Sequence, residues 1–135
     1  RMRDLPERAA RSGVQITALG TNELSQNAPF DLVFCDAPCS GAGTWRRTPD
    51  AKWRLTAERL GALMQSQDAV LDAAAPLVAV GGQLVYATCS VLKDENSGAI
   101  ARFLARNTRW HMVSHFQLLP DTDGDGFYLC VLGQK

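Results

Sequence analysis

The spacing of apolar residues changes several times along the chain, and each change marks an element. Asp4 to Ser12 is charged, with Leu5, Ala9 and Ala10 on one side, which predicts a short helix closed by Gly13. Val14 to Leu19 alternates and predicts a strand, and the polar stretch Gly20 to Pro29 predicts a loop. Phe30 to Cys35 is short, mostly apolar and partly aromatic, the pattern of a buried parallel strand. Ala37 to Leu55 then predicts a loop whose length alone suggests a function. Thr56 opens a helix, with Glu58 in the first turn, where negative charge meets the positive end of the dipole. Leu60, Met64, Gln67, Leu71 and Ala74 share its apolar face, and Pro76 ends or kinks it. Gly81-Gly82 turns the chain into a strand from Gln83 to Thr88. Asp94 and Glu95 start a helix that runs to about Asn107 on the face Ile100, Phe103 and Leu104. Trp110 to Leu119 and Phe127 to Leu132 predict two strands in a terminal antiparallel pair.

Alternating strands and helices predict an α/β fold. In open α/β sheets the ligand lies beyond the carboxyl ends of the strands. The first apolar strand runs into Asp36-Ala37-Pro38-Cys39, and the second into Thr88-Cys89-Ser90. Both ends therefore deliver Asp36, Cys39 and Cys89 into one crevice. Two thiols and a carboxylate there suggest covalent chemistry on an electrophilic carbon.

Composition narrows this picture. A chain of 135 residues holds one domain with one core. Its formal net charge is zero, so overall charge gives no argument for a nucleic-acid partner. Any such contact has to come from a local patch. Arg46, Arg47, Lys52 and Arg54 form the one basic cluster near the crevice, with Trp45 and Trp53 interleaved. Cations hold phosphate and rings stack on bases; equally, the rings can pack the loop down and leave the charges solvated. Arg46 and Lys52 are the first choices for any such contact. There is no run of ~18 apolar residues and no leader pattern, so no membrane span is expected and the location is expected to be cytoplasmic. The first residue is Arg rather than Met, so the chain reads as a piece of a longer protein.

The four cysteines, Cys35, Cys39, Cys89 and Cys130, are read as reduced thiols rather than two disulfides, because so apolar a chain does not need staples. No metal is expected: Cys35-x-x-x-Cys39 lacks a second ligand pair. Cys35 and Cys130 are assigned to the core, and His111 and His115 to a strand. Asp121-Thr-Asp123-Gly-Asp125 resembles the start of a calcium loop, but the twelfth position is Leu132 where a bidentate Glu is needed, so it is read as a turn.

Asp36-Ala-Pro-Cys39-Ser-Gly-Ala-Gly43 and Tyr86-Ala-Thr-Cys89-Ser90 resemble motifs IV and VI of the RNA (cytosine-5) methyltransferases of the Sun/Nop2 family, and in particular its bacterial 16S ribosomal RNA enzymes. Arg46-Arg47-Thr-Pro49-Asp50-Ala-Lys52-Trp53, Gly81-Gly82, Glu95-Asn96 and Asp125-Gly126-Phe127 extend the resemblance over most of the chain. It implies the C-terminal half of a Rossmann-like catalytic domain, residues 1–135 being a partial domain without its first, cofactor-cradling part. It implies S-adenosylmethionine as cofactor and RNA, with 16S ribosomal RNA foremost, as partner. In the implied reaction Cys89 attacks C6 of cytosine and Cys39 helps release the product. Asp36 lies against the cytosine N3 and N4 edge, the cofactor, or both. The place of Cys89 just ahead of a predicted helix start gives a physical reason for a thiolate.

The sequence departs from the family at its third motif, where Gly-Asp is usual and Gly20-Thr21-Asn22 stands here. The glycine-rich first motif would lie before Arg1, so the 135 residues alone are expected to bind cofactor poorly and to be inactive. A second reading follows from Thr21: a non-catalytic RNA-binding module that keeps the fold. A third, a thiol redox or metal protein, lacks a Cys-x-x-Cys or ligand set. An unpaired sheet edge, left where the first strands are missing, is expected to invite self-association.

Overall fold

The computed structural model describes residues 4–135. Two short helices, α1 (Leu5–Arg11) and α2 (Thr21–Asn27), precede β1 (Phe30–Asp36). Next come α3 (Ala57–Ala74), β2 (Val78–Thr88), α4 (Ser97–Arg106), β3 (Trp110–Leu118) and β4 (Phe127–Gln134). The four strands form one mixed sheet in the order β1-β2-β4-β3. β1 and β2 are parallel, and β4 lies between β2 and β3, antiparallel to both. This is the expected α/β architecture with an antiparallel end.

Period-two side-chain alternation puts one face of the sheet on the helices. Val33 and Cys35 of β1 and Leu84 and Tyr86 of β2 pack with Leu71 and Ala74 of α3 and with Ile100 and Phe103 of α4. Leu71, Leu84, Tyr86 and Phe103 are wholly buried. Phe103 meets Trp110 edge-on, with ring centroids 5.9 Å apart. Thr56 caps α3 by accepting the Arg59 backbone N–H at 3.2 Å, a contact worth about 1 kcal/mol. Arg102 and Arg106 of α4 bridge to Asp68 and Asp72 of α3, which fixes the two helices side by side.

Four expectations fail here, each for a local reason. Val14 to Leu19 is not a strand, because among the described residues no neighbour offers it a ladder and an isolated strand has no hydrogen-bond partner. The polar stretch after Gly20 is a helix, not a loop; Glu23 folds back onto the Gly20 N–H at 2.6 Å and starts it. β1 is buried on one face only: Leu32 and Phe34 are 56% and 55% exposed on the other. Gly81-Gly82 lies inside β2 instead of turning the chain into it. The pairing jumps from Phe30 with Val78 to Leu32 with Gln83, and the extra residues bulge at Gly81, whose φ is +79°. A Cβ on Gly82 would sit 2.8 Å from the Asp31 carbonyl oxygen.

β1 forms one margin of the sheet and β3 the other. Among the described residues no helix is long and apolar enough to cross a membrane.

Candidate active site

β1 and β2 run parallel and in register to their ends, with Cys35 opposite Tyr86 and Asp36 opposite Ala87. The chain segments that leave them must therefore meet. The Ala37 N–H still donates to the Ala87 carbonyl at 2.9 Å, and two residues later Cys39 faces Cys89. Their Sγ atoms are 3.4 Å apart, a sulfur–sulfur hydrogen bond. Both thiols are half-buried, and Asp36 is exposed beside them. The three residues expected to converge do converge.

Three loops close around the thiols. The Gly43 N–H donates to the Cys89 carbonyl at 3.0 Å, and the Gly126 N–H donates to the Gly43 carbonyl at 2.8 Å. Only glycine fits at Gly43, because a Cβ there would stand 2.2 Å from the Gly126 oxygen. The long segment after β1 is itself folded into two 3-10 turns, Ala42–Thr44 and Pro49–Arg54.

The two thiols share a proton unequally. The hydrogen bond from Cys39 holds the Cys89 thiol well below its ordinary value of 9.0, to about 6, helped by the Cys89 backbone N–H. Burial and the charges of Asp36 and Glu95 oppose that shift. Cys39 moves the other way, because its proton is held by the Cys89 sulfur. The first proton leaves the pair easily and the second with difficulty. A thiolate at Cys89 was expected from a helix N-terminus, but α4 begins only at Ser97, and the neighbouring thiol is the main cause. Cys35 and Cys130 are buried, and burial pushes both thiols up to about 11, where they stay inert.

Glu95 does not lie in a helix. Its side chain is fully buried and accepts four hydrogen bonds. Two come from Ser40, through the backbone N–H at 2.8 Å and the hydroxyl at 2.5 Å. The others come from the Ser90 hydroxyl at 2.5 Å and from Gln67 Nε2 at 3.0 Å. Gln67 Nε2 also donates to the Pro38 carbonyl at 3.0 Å. Asn96 accepts the Thr88 hydroxyl at 2.7 Å and donates to the Ser90 carbonyl at 2.9 Å. The sequence signal was the Glu95-Asn96 pair, and its acidity imitated the first turn of a helix.

The two cations placed first for RNA contact separate. Arg46 Nε is 3.0 Å from Asp125 Oδ1, its guanidinium also reaches the Thr122 carbonyl at 3.2 Å, and Arg47 takes the other Asp125 oxygen at 2.6 Å. Arg46 thus ties the first loop to the β3–β4 turn. That turn is closed by Asp121 Oδ1, which accepts the Asp123 and Gly124 N–H groups, so the acidic run is a turn as expected. Among the described residues no group of three or more His, Cys, Asp and Glu side chains is placed to hold a metal. Lys52 is exposed, its Nζ 4.8 Å from the centre of the Trp53 ring. Trp53 is 81% exposed, whereas Trp45 is half-buried, with its Nε1 unpartnered.

Sequence comparison decides the family. The profile described as 16S rRNA methyltransferase RsmB/F matches residues 1–132. The chain belongs to that family. It is 43% identical over 110 residues to ribosomal RNA small subunit methyltransferase B of Proteus mirabilis, a match covering 81% of this chain and 26% of that protein. It is 44% identical over 111 residues to the protein of the same name from Enterobacter sp. strain 638, with 76% and 26% covered. The chain therefore spans about a quarter of the length of the curated relatives it matches. Among solved structures it resembles PH0851, with a TM-score of 0.86, 29% identity, and 99% of this chain and 34% of that one covered. NSun6 from Pyrococcus horikoshii with SFG shares the fold, at a TM-score of 0.79 and 24% identity, with 99% and 38% covered. The fold is Rossmann-like, of the methyltransferase type.

Proposed function

We propose that this chain carries the catalytic thiols of an S-adenosylmethionine-dependent RNA (cytosine-5) methyltransferase whose substrate is ribosomal RNA. The observation that carries the reading is the 3.4 Å thiol pair beside Asp36 at the ends of two parallel strands. Redox chemistry alone would not need the carboxylate.

C5 of cytosine is a poor nucleophile until the ring loses its aromaticity. The Cys89 thiolate adds to C6, and the ring's electron pair moves so that C5 becomes an enamine carbon. Asp36, exposed at the strand end, faces the cytosine N3 and N4 edge or the cofactor. An exposed carboxylate there suits a ligand's hydroxyl and amino groups, so Asp36 would be one of the residues that hold the cofactor. When bound, S-adenosylmethionine supplies the methyl group. Loss of the C5 proton to a base then lets the ring expel Cys89 as thiolate, and Cys39, 3.4 Å away, holds the proton that steadies the departing sulfur. To reach a half-buried thiol the base must leave its stack.

The test uses the full-length protein, RNA and cofactor on a denaturing gel. Cys89→Ala should give neither turnover nor adduct. Cys39→Ala should trap protein on RNA. An adduct with Cys89→Ala and none with Cys39→Ala reverses the two roles. Wild-type turnover in both variants refutes the catalytic role of the thiols, and a wild-type protein that binds RNA without turnover leaves the rival reading, a binding module that retains the fold.

A further inference from the structure

We infer that Glu95 is the positioning residue that sets the distance between the two thiols, acting through Ser40 and Ser90. The inference rests on the catalytic reading of Cys39 and Cys89, and its geometry stands apart from that reading. Each cysteine is followed by a serine: Cys39-Ser40 leaves β1, and Cys89-Ser90 leaves β2. The cysteines point at each other across 3.4 Å. Both serines turn to one carboxylate, their hydroxyls each 2.5 Å from Glu95 Oε2 and 3.4 Å from each other. Glu95 Oε1 adds the Ser40 N–H at 2.8 Å and, through Gln67, reaches the residue before Cys39.

This is a costly place for a carboxylate. It is wholly buried, no Lys or Arg bridges to it among the described residues, and it raises the proton affinity of Cys89. A fold that needed only packing would gain from an apolar side chain here. What Glu95 supplies instead is two acceptor oxygens that hold donors from both thiol loops at once. The pair's separation is then fixed by backbone atoms one residue away. The charged and titratable groups that face Cys89 are Cys39, Asp36 and Glu95.

Two substitutions separate geometry from charge. In Glu95→Gln the amide oxygen still accepts the Ser40 N–H and Gln67 Nε2. The amide NH2 can donate to the two serine hydroxyls, which rotate to accept. The geometry stays and one negative charge goes. In the double variant Ser40→Ala, Ser90→Ala the charge stays and the hydroxyl arms go.

The experiment measures four quantities on the full-length protein: kcat and KM for RNA, the pH midpoint of Cys89 alkylation, uptake of phenylarsine oxide (which needs two adjacent thiols), and melting temperature. For Glu95→Gln the expected result is kcat within a fewfold of wild type, unchanged arsenical uptake and a lower alkylation midpoint. For the double serine variant it is kcat down about ten- to hundredfold, the range of a misplacement near 1 Å, with KM held, weaker arsenical uptake and a higher midpoint. The inference is overturned if the serine variant keeps wild-type uptake and midpoint. It is also overturned if melting temperature falls in either variant while both thiol readouts stay put, which makes Glu95 a packing group. Should Cys89→Ala prove fully active, the catalytic reading fails, and the arsenical and alkylation results still decide the positioning role.

Discussion

Replacing Cys39 with Ala removes the largest cause of the Cys89 thiolate. What remains are burial and the charges of Asp36 and Glu95, all of which raise the pKa, against the Cys89 backbone N–H. The balance returns Cys89 to 9.0 or above from about 6. At pH 7 the thiolate fraction should fall from about nine-tenths to about one-hundredth. The alkylation rate will not fall as far. A sulfur of higher pKa is intrinsically more nucleophilic, and with a Brønsted slope near 0.45, three units return about twentyfold. The net change at pH 7 is only about fourfold, so a rate at one pH decides nothing and the midpoint decides everything. The assay is iodoacetamide labelling of the full-length protein from pH 5 to 10, with the Cys89 peptide quantified by mass spectrometry. Cys35 and Cys130, held near 11, stay unlabelled over most of that range.

Cys39→Ser is the control, because its hydroxyl can still donate to Cys89. It should keep the midpoint well below that of Cys39→Ala. The same logic gives a stability signature. Between pH 6 and 9 folded Cys89 has already lost a proton that the unfolded chain keeps, so stability should rise with pH across this window and be lost as pH falls through about 6. Above 9 the sign reverses, because folded Cys39 retains a proton that the unfolded chain releases. An identical midpoint in wild type and Cys39→Ala would refute the reasoning. So would preferential labelling of Cys39 at low pH in the wild type.

Three further outcomes are expected. Gly43→Ala drives a Cβ to within 2.2 Å of a backbone oxygen and should cost about 3 kcal/mol in urea unfolding; a loss under about 0.5 kcal/mol would mean that the three loops are not in contact as described. Trp53→Ala should lower RNA affinity by about 1–3 kcal/mol, the worth of one base stacked on a ring, and leave the melting temperature in place, since Trp53 is 81% exposed. Trp45→Ala should show the opposite pattern. The unpaired β1 margin, with Leu32 and Phe34 half exposed beside it, should make the isolated chain self-associate; a monodisperse monomer by light scattering at high concentration would count against that.

What the sequence made legible, and what it hid, divides along a physical line. Cys39 and Cys89 were readable because each follows a short apolar run, and parallel strands leave their chain ends side by side. Val14 to Leu19 differs because alternation reports a side-chain pattern, while a strand also needs a partner, and among the described residues none lies beside it. Gly81-Gly82 signalled a break, and the chain uses it to absorb extra residues within β2 rather than to turn. Arg46 and Lys52 look alike in sequence. Only the fold tells them apart, because the Asp125 partner of Arg46 lies 79 residues away.

Glu95 was hidden more deeply. An acidic residue near a helix start has a sufficient local explanation, and nothing local announces that its side chain turns inward. Its partners Ser40 and Gln67 come from a loop and a helix separated from it by 55 and 28 residues. The distinction matters for the chemistry. Had Cys89 drawn its acidity from a helix terminus, the thiolate would survive loss of Cys39, and the two cysteines could be varied independently. With the neighbouring thiol as the main cause, they cannot. Any substitution that moves the Cys39 loop, including one at Ser40 or Glu95, also acts on the nucleophile. Kinetic effects of such variants should be non-additive, and a double-mutant cycle between Ser40→Ala and Cys39→Ala should show it: once the Cys39 sulfur is gone, displacing its loop has little left to remove.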